Sequence, residues 1–209
     1  MVLTKEEQLW QDFMTQEQLT LEQTQQFRMY YDLLQSWNEI HNLTTRTTLK
    51  QILRDHFQDS LALKYVFDIS SISSLADIGS GGGFPGIPLK IKYPHLSVVL
   101  VEVTKKKITF LEEVIATLGL QNIEIFSLDW RTFLRTSSYD LDLLCARASL
   151  GFDELVRMFK PGCRYKNAQL VYWASQAWEP TEMVAPCITG DYLYTLEHKK
   201  RRLIVLQCP

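Results

Sequence analysis

The chain has 209 residues, 46% hydrophobic and 22% charged, with a formal net charge of −2. That length suits one α/β domain with an appendage, and a core that needs no disulfide staples. A nearly neutral chain offers no broad basic face to naked nucleic acid, so any such contact falls to local clusters or to a target already folded with protein.

The opening, MVLTKEEQLWQDF, carries acids and glutamines where a signal peptide needs an apolar core. No apolar run approaches membrane-spanning length. A soluble, cytoplasmic protein with no membrane contact is expected. Cys145, Cys163, Cys187 and Cys208 match no zinc spacing, and each is expected to pack as a small hydrophobe.

In chain order, TLEQTQQFRMYYDLLQSWNEIH places Thr20 and Gln23 as a capping-box pair, and Phe27, Tyr30, Tyr31, Leu34 and Trp37 then recur at helical spacing. A second helix is predicted through LKQILRDHFQDSLALKYVF, and DISSISS is a polar linker. From Ser74 the rhythm changes. SLADIG, LSVVLVE, NIEIFSL, YDLDLLCARA and AQLVYWAS read as strands, with helices at PGIPLKIKY, KKKITFLEEVIATLGL and FDELVRMFK. Gly119 stops the second of these helices. DYLYTLE and RRLIVLQC flank HKK as a terminal hairpin. The expected fold is α/β: a mostly parallel sheet with a C-terminal antiparallel hairpin, spanning 74–209, behind an N-terminal helical cap, 1–68, in a single structural unit. A ligand in such a sheet sits at the carboxyl ends of the strands.

The first strand ends in LADIGSGGGFPGIPL, residues 75–89. Gly81, Gly83 and Gly86 satisfy G-x-G-x-x-G, the dinucleotide fingerprint. Asp77, Gly79, Gly81 and Gly83 satisfy D-x-G-x-G-x-G, which resembles motif I of S-adenosylmethionine-dependent methyltransferases. Pro85 and Pro88 offer no N–H to a pyrophosphate, and Asp77 would repel one. The same carboxylate could attract an ammonium, directly or through water. The methyltransferase reading is therefore preferred. The loop residues Gly79, Ser80, Gly81, Gly83 and Phe84 are assigned to the cofactor. Glu102, ending the second strand, could accept from both ribose hydroxyls. Asp129 could take the adenine amino group or simply cap a helix, and the Trp130 backbone could read a ring nitrogen.

WNEIHNLTTRT, HFQDSLAL, DIGSGGGFPGIPLKIKYP and CARA occur in this order. Together they resemble the ribosomal RNA small subunit methyltransferase G family, also called glucose-inhibited division protein B, over nearly the whole chain. The resemblance implies transfer of a methyl group from S-adenosyl-L-methionine to N7 of a guanine in 16S ribosomal RNA, on the free RNA or the assembled small subunit. N7 carries an available lone pair, so catalysis would rest on orientation and electrostatics. Arg147 matches the family's strand-end arginine and is the candidate catalytic residue, facing the methyl donor. His56, Asp59 and Ser60 match its H-x-x-D-S, and Asn42 matches its N-L-T, on the cap side of the pocket. Lys105 to Lys107, and Lys199, Lys200, Arg201 and Arg202, are candidate contacts to RNA phosphate. No metal is implied, and a monomer is expected.

Three positions depart from the family pattern. Trp173 or Ala174 stands where a lysine is usual, Asp129 where arginine is common, and Ala146 where serine is. The missing lysine leaves room for a cofactor-binding protein without catalysis. The helical cap leaves room for a small-molecule methyltransferase, and a nucleotide-dependent oxidoreductase is more distant.

Overall fold

The computed structural model describes residues 3–41 and 48–207. Helix α1 spans Lys5–Gln16 and α2 spans Leu21–His41. The capping box forms as expected: Thr20 Oγ1 accepts from Gln23 N–H at 3.1 Å, and Gln23 Oε1 accepts from Thr20 N–H at 3.1 Å. The next helical stretch is continuous but not uniform. It begins as α3 (Leu49–Ile52), widens into a π-helical turn over Leu53–Gln58, returns to α over Asp59–Leu61 (α4), and tightens to 3-10 over Ala62–Tyr65.

The remaining helices are α5 (Gly86–Lys92), α6 (Lys105–Leu118), α7 (Trp130–Thr136) and α8 (Phe152–Leu155). The strands are β1 (Ser74–Ile78), β2 (Ser97–Val101), β3 (Ile123–Phe126), β4 (Leu143–Arg147), β5 (Gln169–Ala174), β6 (Ile188–Leu196) and β7 (Lys199–Leu206). They form one seven-stranded sheet in the order β3-β2-β1-β4-β5-β7-β6. The first five strands are parallel, and β7 is antiparallel to both β5 and β6. The mostly parallel sheet and its terminal hairpin are as the sequence predicts.

The central strands β1, β2 and β4 are buried along nearly their whole length, which explains why they read as unbroken apolar runs rather than alternating ones. Chain order reverses between β1 and β4. The carboxyl ends of these two strands therefore open a crevice between the loops that follow them.

The cap is tied to this crevice by aromatic packing. Phe13, Phe27 and Phe57 meet at 4.9–6.0 Å between ring centroids, and all three are buried. Burying each ring stabilises the fold by about 1.5–3 kcal/mol. Tyr30 stacks on Phe57 and donates its hydroxyl to the Gly82 carbonyl, so α2 reaches the glycine loop directly. Gln23 closes the other end: its amide donates to the Ile91 and Lys92 carbonyls at the end of α5.

Two expectations about the cysteines part. Cys145 is a buried free thiol in β4, as a small hydrophobe should be. Cys187 is disulfide-bonded. No local pattern in the sequence marks it for pairing. Cys208 lies outside the described residues.

Candidate active site

The glycine loop is built from both sides of the sheet. Asp77, in β1, is fully buried, and its Oδ2 accepts from the Gly86 N–H at 2.8 Å. Gly86 must be glycine because a Cβ there would lie 2.5 Å from Leu100 Cδ2 and 2.9 Å from that same Oδ2. Glu102, just past β2, holds the loop from the other side. Its Oε2 accepts from Gly81 N–H at 2.9 Å, and its Oε1 accepts from Val103 and Thr104 N–H, each at 2.9 Å. Gly81 sits at φ +59, and a Cβ on it would meet nothing closer than the Gly79 carbonyl at 3.8 Å. The space beside it belongs to a cavity of about 780 Å³ lined by both residues, a usual size for a small-molecule site.

The far wall comes from β4 and the π turn. Arg147, ending β4, donates to Asp59 Oδ2 at 2.9 Å, to the Asp55 carbonyl at 3.1 Å and to His56 Nδ1 at 3.0 Å. Its guanidinium lies 5.1 Å over the Phe84 ring, and the His56 ring packs on Phe84 at 4.8 Å. The next residue, Ala148, is held at φ +51, a left-handed conformation unusual for alanine, and it too lines the cavity. Asp59 gathers further partners. The Tyr194 hydroxyl donates to its Oδ1 at 2.7 Å, Trp173 Nε1 donates to its carbonyl at 2.7 Å, and the Arg201 guanidinium lies 3.6 Å away. Asp55 and His56 sit in the π turn and Asp59 directly after it, and all three line this wall, a common setting for a π-helical turn.

Burial sets the charges. It raises Asp77 to about 7, against the Gly86 N–H and the Arg147 charge. It lowers His56 to about 4, helped by Arg147, so the ring is neutral near pH 7. Burial would also raise Asp55, but hydrogen bonds from Arg54 and Lys199 outweigh it and hold that carboxyl well below the usual range. At Glu102 burial again pushes upward, and the N–H donors and Lys107 overcome it to hold the carboxyl below its ordinary value.

The structure brings most of the predicted residues together and moves some. Gly79, Ser80, Gly81, Phe84, Glu102, Asp129, Trp130, His56, Asp59, Arg147 and Arg201 all line the one cavity. Asp77 does not: it lies behind the loop, where it anchors Gly86, and its Oδ1 is buried with no partner. Gly83 also faces away, packed against Ile87 and Tyr30. Lys199 is drawn off the cavity by an ion pair with Asp55 at 2.8 Å. Arg202 pairs with Asp191, which takes another of the expected RNA cations out of free solvent. Asp129 is the exposed N-cap of α7, accepting from Thr132 N–H at 3.0 Å and Thr132 hydroxyl at 2.7 Å. The Trp130 indole donates to the Glu154 carbonyl, so its side chain packs and only its backbone remains for recognition. Asn42 lies outside the described residues.

Several site residues escaped the sequence reading, Asp55, Ala148 and Tyr194 of the far wall among them, and so did two apolar residues. Val103 and Leu128 are 58% and 52% exposed at the cavity mouth. Their signal was present: an apolar residue just beyond a strand, where turn chemistry calls for a polar one. The cation missing from β5 has a counterpart as well. Trp173 and Ala174 line the cavity, and Arg201 of β7 brings a guanidinium to the same cavity.

A parallel sheet reversing at β1 and β4, with a glycine loop and a strand-ending acid around one cavity, is an architecture of nucleoside-cofactor folds, and a family match places this chain among the S-adenosylmethionine-dependent methyltransferases. Solved structures of this fold include a mutant of MtNAS in complex with S-adenosylmethionine, with TM-score 0.57 and 16% identity over 87% of this chain and 76% of that one. Another is M. capricolum TrmK in complex with S-adenosyl-homocysteine, with TM-score 0.55 and 14% identity over 72% and 67%. The family described as rRNA small subunit methyltransferase G matches residues 23–190, and the chain belongs to that family. Ribosomal RNA small subunit methyltransferase G of Listeria welshimeri is 34% identical over 90% of this chain and 84% of its own length. That of Geobacillus sp. is 33% identical over 87% and 81%, and that of Lachnoclostridium phytofermentans 49% over 50% and 43%.

Proposed function

We propose that this chain methylates N7 of a guanine in 16S ribosomal RNA of the small subunit, with S-adenosylmethionine as methyl donor. The observation that carries the reading is the meeting, in one cavity, of the glycine loop and the Arg147–His56–Asp59 cluster in a chain of this family.

The cofactor fits the residues present. The open space beside Gly81 admits a ligand against bare backbone. Glu102 lines the cavity beside Gly81, where its carboxylate can accept from a ribose hydroxyl in exchange for its Thr104 side-chain contact. Val103 and Leu128 offer exposed apolar surface for a purine ring. Asp129, with lone pairs to spare at the rim, can accept from an exocyclic amino group. Asp77 serves the cofactor indirectly, by holding the glycine loop through the Gly86 N–H from behind. When bound, S-adenosylmethionine supplies a methyl group on a cationic sulfur.

Everything else the chain must do is positional. N7 needs no proton removed, and the two carboxylates nearest the wall, Asp55 and Asp59, are already committed to ion pairs. Arg147 and Arg201 set a positive wall opposite Glu102 and Asp129, suited to an RNA phosphate or a base oxygen. Sequestering donor and acceptor in line accounts for the catalysis.

The test is transfer of labelled methyl from S-adenosylmethionine to small ribosomal subunits from a strain lacking the gene, followed by nucleoside analysis. N7-methylguanosine is expected; label in another nucleoside, or none, would sink the reading.

A further inference from the structure

Arg147 can only donate hydrogen bonds. Its 3.0 Å contact to His56 Nδ1 therefore makes that nitrogen an acceptor, and the hydrogen of the neutral ring sits on Nε2. Phe84 fixes the plane of the ring from one face, and Arg147 fixes its rotation. Among the described residues, the buried side-chain polar atoms that make no hydrogen bond are Asp77 Oδ1, Ser149 Oγ, Arg157 Nε and Arg201 Nε, the two arginine nitrogens facing carboxylates in ion pairs. His56 Nε2 is not one of them, and the ring lines the cavity, so the N–H opens into it.

We propose that His56 is the specificity-determining residue for the base, its Nε2–H donating to O6 of the guanine whose N7 is methylated. This rests on the guanine-N7 reading above. On the edge of the base that carries N7, guanine presents O6, an acceptor, where adenine presents an amino group, a donor. A neutral imidazole locked with its hydrogen on Nε2 can only donate there. It meets O6 with a hydrogen bond and meets an amino group with two opposed donors, and a site built around one hydrogen bond discriminates against the analogue that cannot make it. A protonated ring could not keep this arrangement, since both ring nitrogens would then be donors and Nδ1 would face the guanidinium. Arg147 is thus a positioning residue for His56 as well as part of the positive wall.

The experiment compares two bases at one position. The methylated guanine is mapped on the subunit by chain cleavage at N7-methylguanosine. Subunits are then reconstituted with 2,6-diaminopurine in its place, which keeps N7 and replaces O6 by an amino group. Single-turnover rates should fall roughly 10- to 100-fold for the unaltered enzyme on the analogue. His56→Phe keeps a ring against Phe84 but has no N–H: it should be slower on guanine and should treat the two bases within about threefold of each other. His56→Gln restores an N–H and should recover part of the discrimination. Melting and S-adenosylmethionine binding by calorimetry establish that each variant is folded and loaded. Equal rates on the two bases for the unaltered enzyme would overturn the proposal, whatever the variants do. So would full discrimination in His56→Phe. Absence of N7-methylguanosine with the unaltered enzyme is a separate result, which removes the guanine reading and the proposal with it.

Discussion

Glu102 answers two demands with one carboxylate. It terminates β2, where its Oε1 takes the first N–H groups of the turn into α6, and its Oε2 crosses to Gly81. The side chain is buried, so each of these bonds replaces water that cannot return. Glu102→Gln keeps the shape and converts one acceptor into an amide donor facing an N–H. Leaving such a group unsatisfied costs about 1–3 kcal/mol. The melting temperature should drop by roughly 2–4 °C for each kcal/mol in a chain of this size. S-adenosylmethionine affinity, measured by calorimetry, should fall by about tenfold or more, since the same change disturbs the loop and the ribose acceptor. A variant that melts normally and binds normally would show that the loop stands without this acid.

At the scale of elements, the π turn and the β6–β7 hairpin are joined through Asp55. Its carboxylate receives Arg54, Lys199 and Arg201 at 2.7–3.1 Å, one cation from its own turn and two from β7. Asp55→Asn leaves those three cations crowded around a neutral amide. Breaking a partly buried network by removing one partner is expected to cost about 2–3 kcal/mol. The loss should shrink in 1 M salt, where the Debye length of about 3 Å screens the cations from one another. Thermal melts at low and high salt measure both effects, and a deficit that does not change with salt would mean that packing, not charge, joins the elements. The sequence could not have announced this junction. Lys199 and Arg201 lie more than 140 positions from Asp55, and on a hairpin edge a lysine that pairs and a lysine that faces water have the same local pattern. What was legible was local: the Thr20–Gln23 capping box, the apolar central strands, the glycine loop and the acid ending β2. Asp77 was legible as an acid at the loop, but not its direction. A motif fixes spacing, and only the packing of Gly86 against it shows that the carboxylate lies behind the backbone.

Over the whole molecule, two buried titrations oppose each other. The folded chain keeps His56 neutral down to about 4, whereas an unfolded histidine takes up a proton near 6.5. Between those values the unfolded state binds more protons, so this residue makes stability fall as pH drops. Asp77 runs the other way. Burial holds its folded pKa at about 7 against an ordinary 3.8, so between those values the folded state binds more protons, and stability falls as pH rises. Each slope is about 1.4 kcal/mol per pH unit at full effect. The windows nearly coincide, so the two should largely cancel between pH 4 and 6.5. The unaltered protein is therefore expected to show little net slope there from this pair. Single variants uncover the parts. In Asp77→Asn, whose amide oxygen can still accept from Gly86, the histidine slope stands alone and stability should climb with pH from about 4 to 6.5. In His56→Gln the aspartate slope stands alone, and stability should decline with pH up to about 7. Denaturant melts of the three proteins across this range measure the slopes directly. Parallel profiles would mean that neither group is held away from its ordinary pKa, and a slope of the same sign in both variants would mean that the cancellation lies elsewhere in the fold.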